Sequence, residues 1–392
     1  MTRAAQPTPG VAIACGGTGG HLFPGLAVGE ELIRRGCPVS LLISPKEVDQ
    51  RAVKSARGMK IITLPAVALQ RGQRLAFLRG CWQSWHSARR LFRSHPPGAV
   101  LAMGGFTSAP PVLAARSIGA KTFLHESNTI PGRANRWLAR FVNHAFVGFP
   151  QAARRLHARE VTVTGTPVRG EFKTRATADC RKALGLDPAR PVVLVTGGSQ
   201  GATGLNEMIL SALPHFALRG PDWQWLHLTG SQDVEKVRSA YATHRLNAVV
   251  HPFLAEMELA LGATTVAVSR AGASSLAELA TVRLPAVLVP FPQAADDHQR
   301  HNAHAFAETG SAFLLEQTSA SPEKIVSLVS ELIESETARE KMQLSLAQWH
   351  APKAAELIAL IILTAMDERV SLGSRGGVPA GRMKDLNLKV VG

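Results

Sequence analysis

Short apolar runs alternate with longer stretches in which apolar residues recur every three or four positions, along most of the 392-residue chain. In the first half the runs are Val11–Cys15, Val39–Ile43, Lys60–Leu64, Val100–Met103, Lys121–Leu124, His144–Val147 and Glu160–Thr164. In the second half they are Val192–Thr196, Trp225–Leu228, Ala248–His251, Val266–Ser269, Ala286–Val289 and Ala312–Leu314. Brief runs rich in Val, Ile and Leu predict buried strands, and the helical periodicity between them predicts crossover helices. Strand and helix in alternation form a doubly wound parallel sheet. The plan occurs twice, and the chain is too long for one ordinary core. The expected class is therefore α/β, with two Rossmann-like domains facing a cleft.

A polar stretch from Gly165 to Arg190, punctuated by Pro167 and Pro188, predicts the linker. The expected domains are residues 1–165 and 166–348. Late helices are expected at Pro322–Ile333 and Ala351–Met366, the last within a segment, 349–368, that packs across the domain junction. The apolar stretch Leu357–Met366 is too short to span a bilayer and reads as a core helix. Residues 369–392, glycine-rich and basic, read as a disordered tail.

Several strands end in glycine. After Val11–Cys15 come Gly16, Gly17, Thr18, Gly19, Gly20 and His21, with Pro24 where a first helical turn is expected. Glycines permit positive φ and close backbone approach, and a helix N-terminus offers amide groups and partial positive charge to a phosphate. The spacing matches neither the dinucleotide fingerprint nor the P-loop. His21 places an imidazole at the carboxyl end of a buried strand, where open α/β sheets bind ligands.

Five further segments extend the series. Gly104-Gly105-Phe106 reads equally as a packed turn or a substrate contact. In Leu124-His125-Glu126-Ser127-Asn128, His125 reads as a satisfied core histidine, whereas Glu126 and Asn128 suit sugar hydroxyls. Gly197-Gly198-Ser199-Gln200-Gly201 opens the second domain as Gly16–Gly20 opens the first. In the segment Arg270–Glu278, Ser274 or Ser275 is the expected N-cap of a helix. Glu278 is then either the acid of a capping box or a ligand of both ribose hydroxyls. Asp296-Asp297-His298-Gln299 closes the series, with side chains suited to sugar hydroxyls.

Charge changes the picture. The net formal charge is +15, but residues 1–165 hold 22 Lys/Arg and 6 Asp/Glu, whereas the remainder hold 22 and 23. A basic first domain suits a membrane surface, a phosphorylated substrate or nucleic acid. Against nucleic acid stand a single Tyr, no recognised binding motif and no uninterrupted basic tract. The four cysteines form no C-x-x-C pair, so neither a metal nor a disulfide framework is expected.

Taken in order, GGTGGHLFPGLAV, GGF, LHESN, GTPVR, GGSQGA, RAGASSLAE and DDHQ resemble the UDP-N-acetylglucosamine:N-acetylmuramyl-(pentapeptide) pyrophosphoryl-undecaprenol N-acetylglucosamine transferases of peptidoglycan synthesis. The similarity runs from about residue 11 to about residue 366. It implies the two-domain GT-B fold and an inverting transfer of N-acetylglucosamine (GlcNAc) from UDP-GlcNAc to lipid I, giving lipid II. It also implies no cofactor and a peripheral location on the cytoplasmic face of the bacterial plasma membrane. Partners would be UDP-GlcNAc, lipid I, an anionic membrane surface and other cell-wall synthesis and division proteins.

Carried onto this sequence, the resemblance places Thr18, Gly19 and Gly20 at the acceptor diphosphate and donor sugar, and Asn128 at GlcNAc. It places Arg169 and Ser199 at UDP, Leu254 beside uracil, and Ala273, Ser274, Ser275, Leu276 and Ala277 around the diphosphate. Glu278 would hold the ribose, and His298 and Gln299 the GlcNAc hydroxyls. The base that takes the muramyl 4-hydroxyl proton is His21 or Glu126, and the sequence leaves both open. Ser127 departs from the family's usual Gln, and Pro131 from a small residue.

A lipid-linked acceptor calls for membrane contact. Between Arg71 and Arg93, the residues Leu75, Leu78, Trp82, Trp85 and Phe92 fall along one side of a helix, with Arg71, Arg74 and Arg79 supplying charge. Such a helix either lies in the bilayer interface or faces the core. Two other functions remain compatible with the chain: transfer of a UDP-sugar to another lipid such as diacylglycerol, and binding of a nucleotide sugar without catalysis.

Overall fold

The computed structural model describes residues 9–16, 19–46, 56–65, 74–105, 107–198 and 201–373. Thr18, Arg71, Ser199 and residues 374–392 lie outside these; residues 369–373, expected in the disordered tail, instead close the last helix. The chain divides into two compact units. Unit 1 runs through Arg169 and takes in the segment from Pro352 onward; unit 2 is Gly170–Ala351.

Among the described residues, unit 1 holds strands β1 (Val11–Ala14), β2 (Val39–Ile43), β3 (Lys60–Thr63), β4 (Ala99–Ala102), β5 (Lys121–Glu126), β6 (His144–Val147) and β7 (Val161–Val163). Its helices are α1 (Gly19–Arg34), α2 (Arg74–Ser94), α3 (Ala109–Ser117), α4 (Arg133–Leu138) and α5 (Pro150–Ala153). The sheet order is β3-β2-β1-β4-β5-β6-β7, every pair parallel. The winding therefore reverses between β1 and β4, and the chain diverges there to opposite faces. Such a switch point leaves a crevice beyond the strand ends.

The sequence supplies both faces of this sheet. In β1, Val11 and Ile13 point to one side, as does Cys15 beyond its end, and Ala12 and Ala14 point to the other, as strand geometry requires. The first side is covered by Leu22, Leu26 and Leu32 of α1, the second by Ala88 and Phe92 of α2 and Val112 of α3.

Unit 2 holds helix α6 (Thr177–Ala183) and then β8 (Val192–Thr196), α7 (Thr203–Arg219), β9 (Gln224–Leu228), α8 (Val234–Thr243), β10 (Asn247–His251), α9 (Met257–Ala263) and β11 (Val266–Ser269). It continues with α10 (Ala273–Val282), β12 (Ala286–Leu288), α11 (His298–Glu308), β13 (Phe313–Leu314), α12 (Pro322–Glu334) and α13 (Glu336–Leu346). The order β10-β9-β8-β11-β12-β13, again all parallel, reverses between β8 and β11.

The last helix, α14 (Ala354–Gly373), belongs to unit 1. By length and hydropathy the stretch Glu336–Asp367 could cross a membrane. It is broken between α13 and α14, and Ile358, Ala359, Ile362 and Met366 of α14 are buried in the unit 1 core beside α1. Glu356, near the start of α14, also pairs with Arg35 just past α1, at 3.0 Å.

Candidate active site

In unit 1 the turns after β1 and β4 lie side by side at the switch point. Met103 N donates to Ala14 O at 2.8 Å, and Thr107 Oγ1 to Gly16 O at 2.6 Å. Helix α1 begins at Gly19, so Pro24 stands inside it rather than in its first turn. His21 is the third helical residue. Its ring lies against Gly104 and Gly105, which take φ of +108° and +78°. A Cβ on Gly104 would sit 3.0 Å from His21 Nε2, and one on Gly105 would sit 3.1 Å from Nδ1. Both glycines are needed, for the left-handed backbone and for the space the imidazole occupies.

Glu126 ends β5 and is 2 % exposed. Its Oε1 accepts from Asn128 N (2.8 Å) and Asn128 Nδ2 (3.0 Å), and its Oε2 from Gly132 N (3.0 Å) and Asn135 Nδ2 (2.7 Å). A carboxylate has about four lone-pair directions, and here four donors fill them. The side chain ties the loop after β5 to the first turn of α4. Because Asn128 and Asn135 both donate to Glu126, both turn their carbonyl oxygens away from it.

His125, the neighbour on the other face of β5, is fully buried. Its Nε2 donates to Gly165 O at 3.1 Å, and Ser127 Oγ donates to its Nδ1 at 3.3 Å. Burial lowers its pKa to about 4, so the ring is neutral. This is a satisfied core histidine, and Ser127, the departure from the family pattern, is one of its partners. Arg169 is buried with its guanidinium 4.6 Å above the ring of Phe23 in α1.

In unit 2 the switch point brings the turn after β8 beside the one after β11: Arg270 N donates to Thr196 O at 3.2 Å. Helix α10 corrects the sequence expectation of a serine cap. It starts at Ala273, with Gly272 at the N-cap in extended backbone (φ −66°, ψ 137°) and no side-chain cap. Ser274 and Ser275 are therefore the second and third helical residues. Glu278 is the sixth, too far along for a capping box. Leu276 N already bonds Gly272 O at 3.0 Å and its side chain is in the core. The amides before it, at Ala273, Ser274 and Ser275, have no carbonyl within the helix to donate to.

Arg270 stands two residues before that N-cap, 5 % exposed. It donates to Val289 O and Pro290 O, both at 3.1 Å, and to Gln317 Oε1 at 2.7 Å. None of these partners is a carboxylate, and burial pulls its pKa down to about 10. It remains a cation at neutral pH without a neutralising acid among the described residues.

Across the sheet, Asp296 and Asp297 both adopt left-handed backbone (φ 51° and 54°), turning the chain into α11. Gln299 Oε1 accepts from Phe291 N at 3.0 Å, which turns its amide nitrogen away from that peptide group. His298 Nδ1 donates to Ala295 O at 2.7 Å. Leu254 is half-buried in the loop after β10.

Beneath α7 runs a directional chain. Tyr241 OH donates to His227 Nδ1 (3.1 Å), His227 Nε2 to Asn206 Oδ1 (3.0 Å), and Asn206 Nδ2 and Thr203 Oγ1 to Asp233 Oδ2 (both 2.8 Å). Burial lowers the His227 pKa to about 3.

Two residues given no role by sequence reasoning belong to these sites. Asn135 was hidden because only the folded loop brings it to Glu126. Arg270 carried a visible signal, a cation directly after an apolar run. Among the described residues no cluster of three or more His, Cys, Asp or Glu is placed to hold a metal ion.

Residues 11–147 match the glycosyltransferase family 28 N-terminal domain, and residues 192–358 match the family 28 C-terminal domain. The chain is 41% identical over 313 residues to a UDP-N-acetylglucosamine–N-acetylmuramyl-(pentapeptide) pyrophosphoryl-undecaprenol N-acetylglucosamine transferase of Synechococcus sp., covering 78% of this chain and 82% of that one. It is 37% identical over 379 residues to the protein of the same name from Xanthomonas euvesicatoria, covering 93% and 85%. Among solved structures it is similar to a MurG of Acinetobacter baumannii, with TM-score 0.71 and 28% identity over 91% of this chain and 100% of that one.

Proposed function

We infer, from a chain that belongs to glycosyltransferase family 28, that the protein transfers GlcNAc from UDP-GlcNAc to the polyprenyl-diphospho-N-acetylmuramyl-pentapeptide lipid I, giving lipid II. The muramyl 4-hydroxyl oxygen attacks the anomeric carbon of GlcNAc, the bond from that carbon to the UDP oxygen breaks, and the configuration inverts.

His21 takes the hydroxyl proton. The observation that carries this reading is the imidazole fixed against Gly104 and Gly105 at the switch point. An imidazole near neutral pH is suited to general-base work. Glu126 is set aside as the base because its oxygens already accept four hydrogen bonds; it orients Asn128 and Asn135 instead. On the donor side, the uncapped first turn of α10 and the Arg270 cation supply positive potential for the departing UDP. Glu278 takes the ribose hydroxyls, and Gln299 donates its amide hydrogens to GlcNAc.

The protein works peripherally on the cytoplasmic face of the plasma membrane, docking through the start of α2. Leu75, Leu78 and Trp82 are 83%, 62% and 61% exposed, with Arg79 exposed among them. Trp85 is half-buried against the core and Phe92 fully so, which supports a contact confined to the first turns. Exposed apolar anchors beside basic residues favour an anionic interface.

The test is a transfer assay with labelled UDP-GlcNAc and a polyprenyl-diphospho-N-acetylmuramyl-pentapeptide, scored for disaccharide. No product despite measurable UDP-GlcNAc binding would move the acceptor to another lipid class, such as diacylglycerol.

A further inference from the structure

We propose that Gln317 is a positioning residue for the donor diphosphate: its neutral amide holds Arg270 in place without cancelling the charge that the departing UDP meets. This deepens the transferase reading above and rests on its donor half. Gln317 opens a short helical turn, Gln317–Ser319, beyond the end of β13. Its Oε1 accepts from the Arg270 guanidinium at 2.7 Å. An amide nitrogen in that place would set donor against donor, so the orientation of the amide is fixed. Its other end packs on the first turn of α7, where a Cβ on Gly204 would lie 2.7 Å from Gln317 Nε2. One side chain thus spans from the helix after β8 to the turn after β11, the two elements that meet at the switch point of unit 2.

The choice of an amide carries the argument. A buried cation ordinarily sits against a carboxylate, which offsets part of the cost of leaving water. Arg270 has instead two main-chain carbonyls, the Gln317 oxygen and the Phe291 ring, whose centre is 5.5 Å from the guanidinium carbon. An acid is at hand one residue earlier in the chain. Glu316, however, is turned to Arg300 of α11, whose Nε donates to it at 2.7 Å. The segment after β13 therefore sends its carboxylate to an exposed arginine and its amide to the buried one. A carboxylate at position 317 would form the ion pair that the fold withholds. The guanidinium, two residues before the uncapped first turn of α10, keeps its charge for an anion arriving there.

The experiment measures the binding of UDP and of uridine to wild type, Gln317→Glu and Gln317→Ala by titration calorimetry, with thermal unfolding of each protein. Gln317→Glu keeps the shape of the side chain and an oxygen toward Arg270 but neutralises the cation. It is expected to weaken UDP binding about tenfold or more, the worth of a charge-assisted hydrogen bond, with uridine affinity and unfolding temperature no lower than in wild type. Gln317→Ala leaves the charge and removes one neutral hold on the guanidinium, so UDP binding should weaken only about threefold. A residue that merely packed the loops together would give the opposite order, because alanine removes more contact than glutamate does, and that order would overturn the proposal. Unchanged UDP affinity in Gln317→Glu, or uridine affinity falling in step with UDP, would overturn it too. If Gln317→Glu fails to fold, Gln317→Ala decides: a few-fold loss confined to UDP sustains the proposal, and a loss of about tenfold or more overturns it. Transfer is scored separately on wild type. No disaccharide from a protein that binds UDP as expected would sink the acceptor reading and leave this one standing, whereas wild type without affinity for UDP would sink both.

Discussion

At the switch point of unit 1 the groups that stand out are packed, oriented side chains. His21 lies on a glycine pair, and one buried carboxylate sets the amides of Asn128 and Asn135. At the switch point of unit 2 the main chain does more of the work: a helix starts without a side-chain cap, and the charge beside it comes from an arginine held by carbonyl and amide oxygens. The same strand order thus carries two kinds of site. Removing a proton needs a base aimed in one direction, whereas stabilising a departing diphosphate needs diffuse positive potential. Direction calls for packed side chains; potential can come from amides.

The largest effect that would break this contrast is at His21. His21→Ala should lower kcat about 10²- to 10⁴-fold, the usual worth of a general base, with UDP-GlcNAc affinity unchanged. Gly104→Ala should approach that loss, since it strains the backbone and pushes on the ring. A matching fall in donor affinity, read by titration calorimetry, would mean that the two functions are not separated by unit.

Acid should test the buried histidines of both units. His125 and His227 have folded-state pKa values of about 4 and about 3, below the ordinary value of 6.5. The unfolded chain then binds more protons below pH 6.5, so stability falls as pH drops through 6.5 toward about 3, by an amount on the order of a few kcal/mol for each ring. His227→Gln keeps a donor for Asn206 and does not titrate. Urea melts at pH 7 and 4.5 should show a shallower pH dependence for this variant, carried by unit 2.

Smaller effects sharpen the contrast. Arg270→Ala should weaken UDP-GlcNAc binding roughly 10- to 100-fold, in the range for a charge-assisted hydrogen bond, and leave the acceptor KM in place. Glu126→Gln should lower kcat by roughly tenfold, because an amide offers one oxygen where the loop needs two and one asparagine must turn over. Donor affinity measured on the same protein should not move.

The strands were legible in the sequence because both faces of each central strand are buried, so the apolar run marks the element by itself. Pro322–Ile333 was legible for a different reason: Ser321 caps it through Lys324 N, as a serine before a proline-led helix should. The start of α10 was misread because Gly272 took the cap position that two serines advertised. The stripe on α2 was ambiguous for a physical reason. Periodicity shows that Leu75, Leu78, Trp82, Trp85 and Phe92 share a side, but α3, which covers only the later part, comes from a separate stretch of sequence. Asn135 and Glu126 are nine positions apart, and no spacing rule joins them; the loop that does so is itself held by the bonds it makes.

Helix α14 has a consequence for how the protein is made. The apolar side of unit 1 that it covers is present in the chain from the first strand onward, yet Ile358, Ile362 and Met366 leave the ribosome only after all of unit 2. During synthesis unit 2 is the part that can finish folding first, while unit 1 waits with one flank open and in need of protection from aggregation until its last helix arrives.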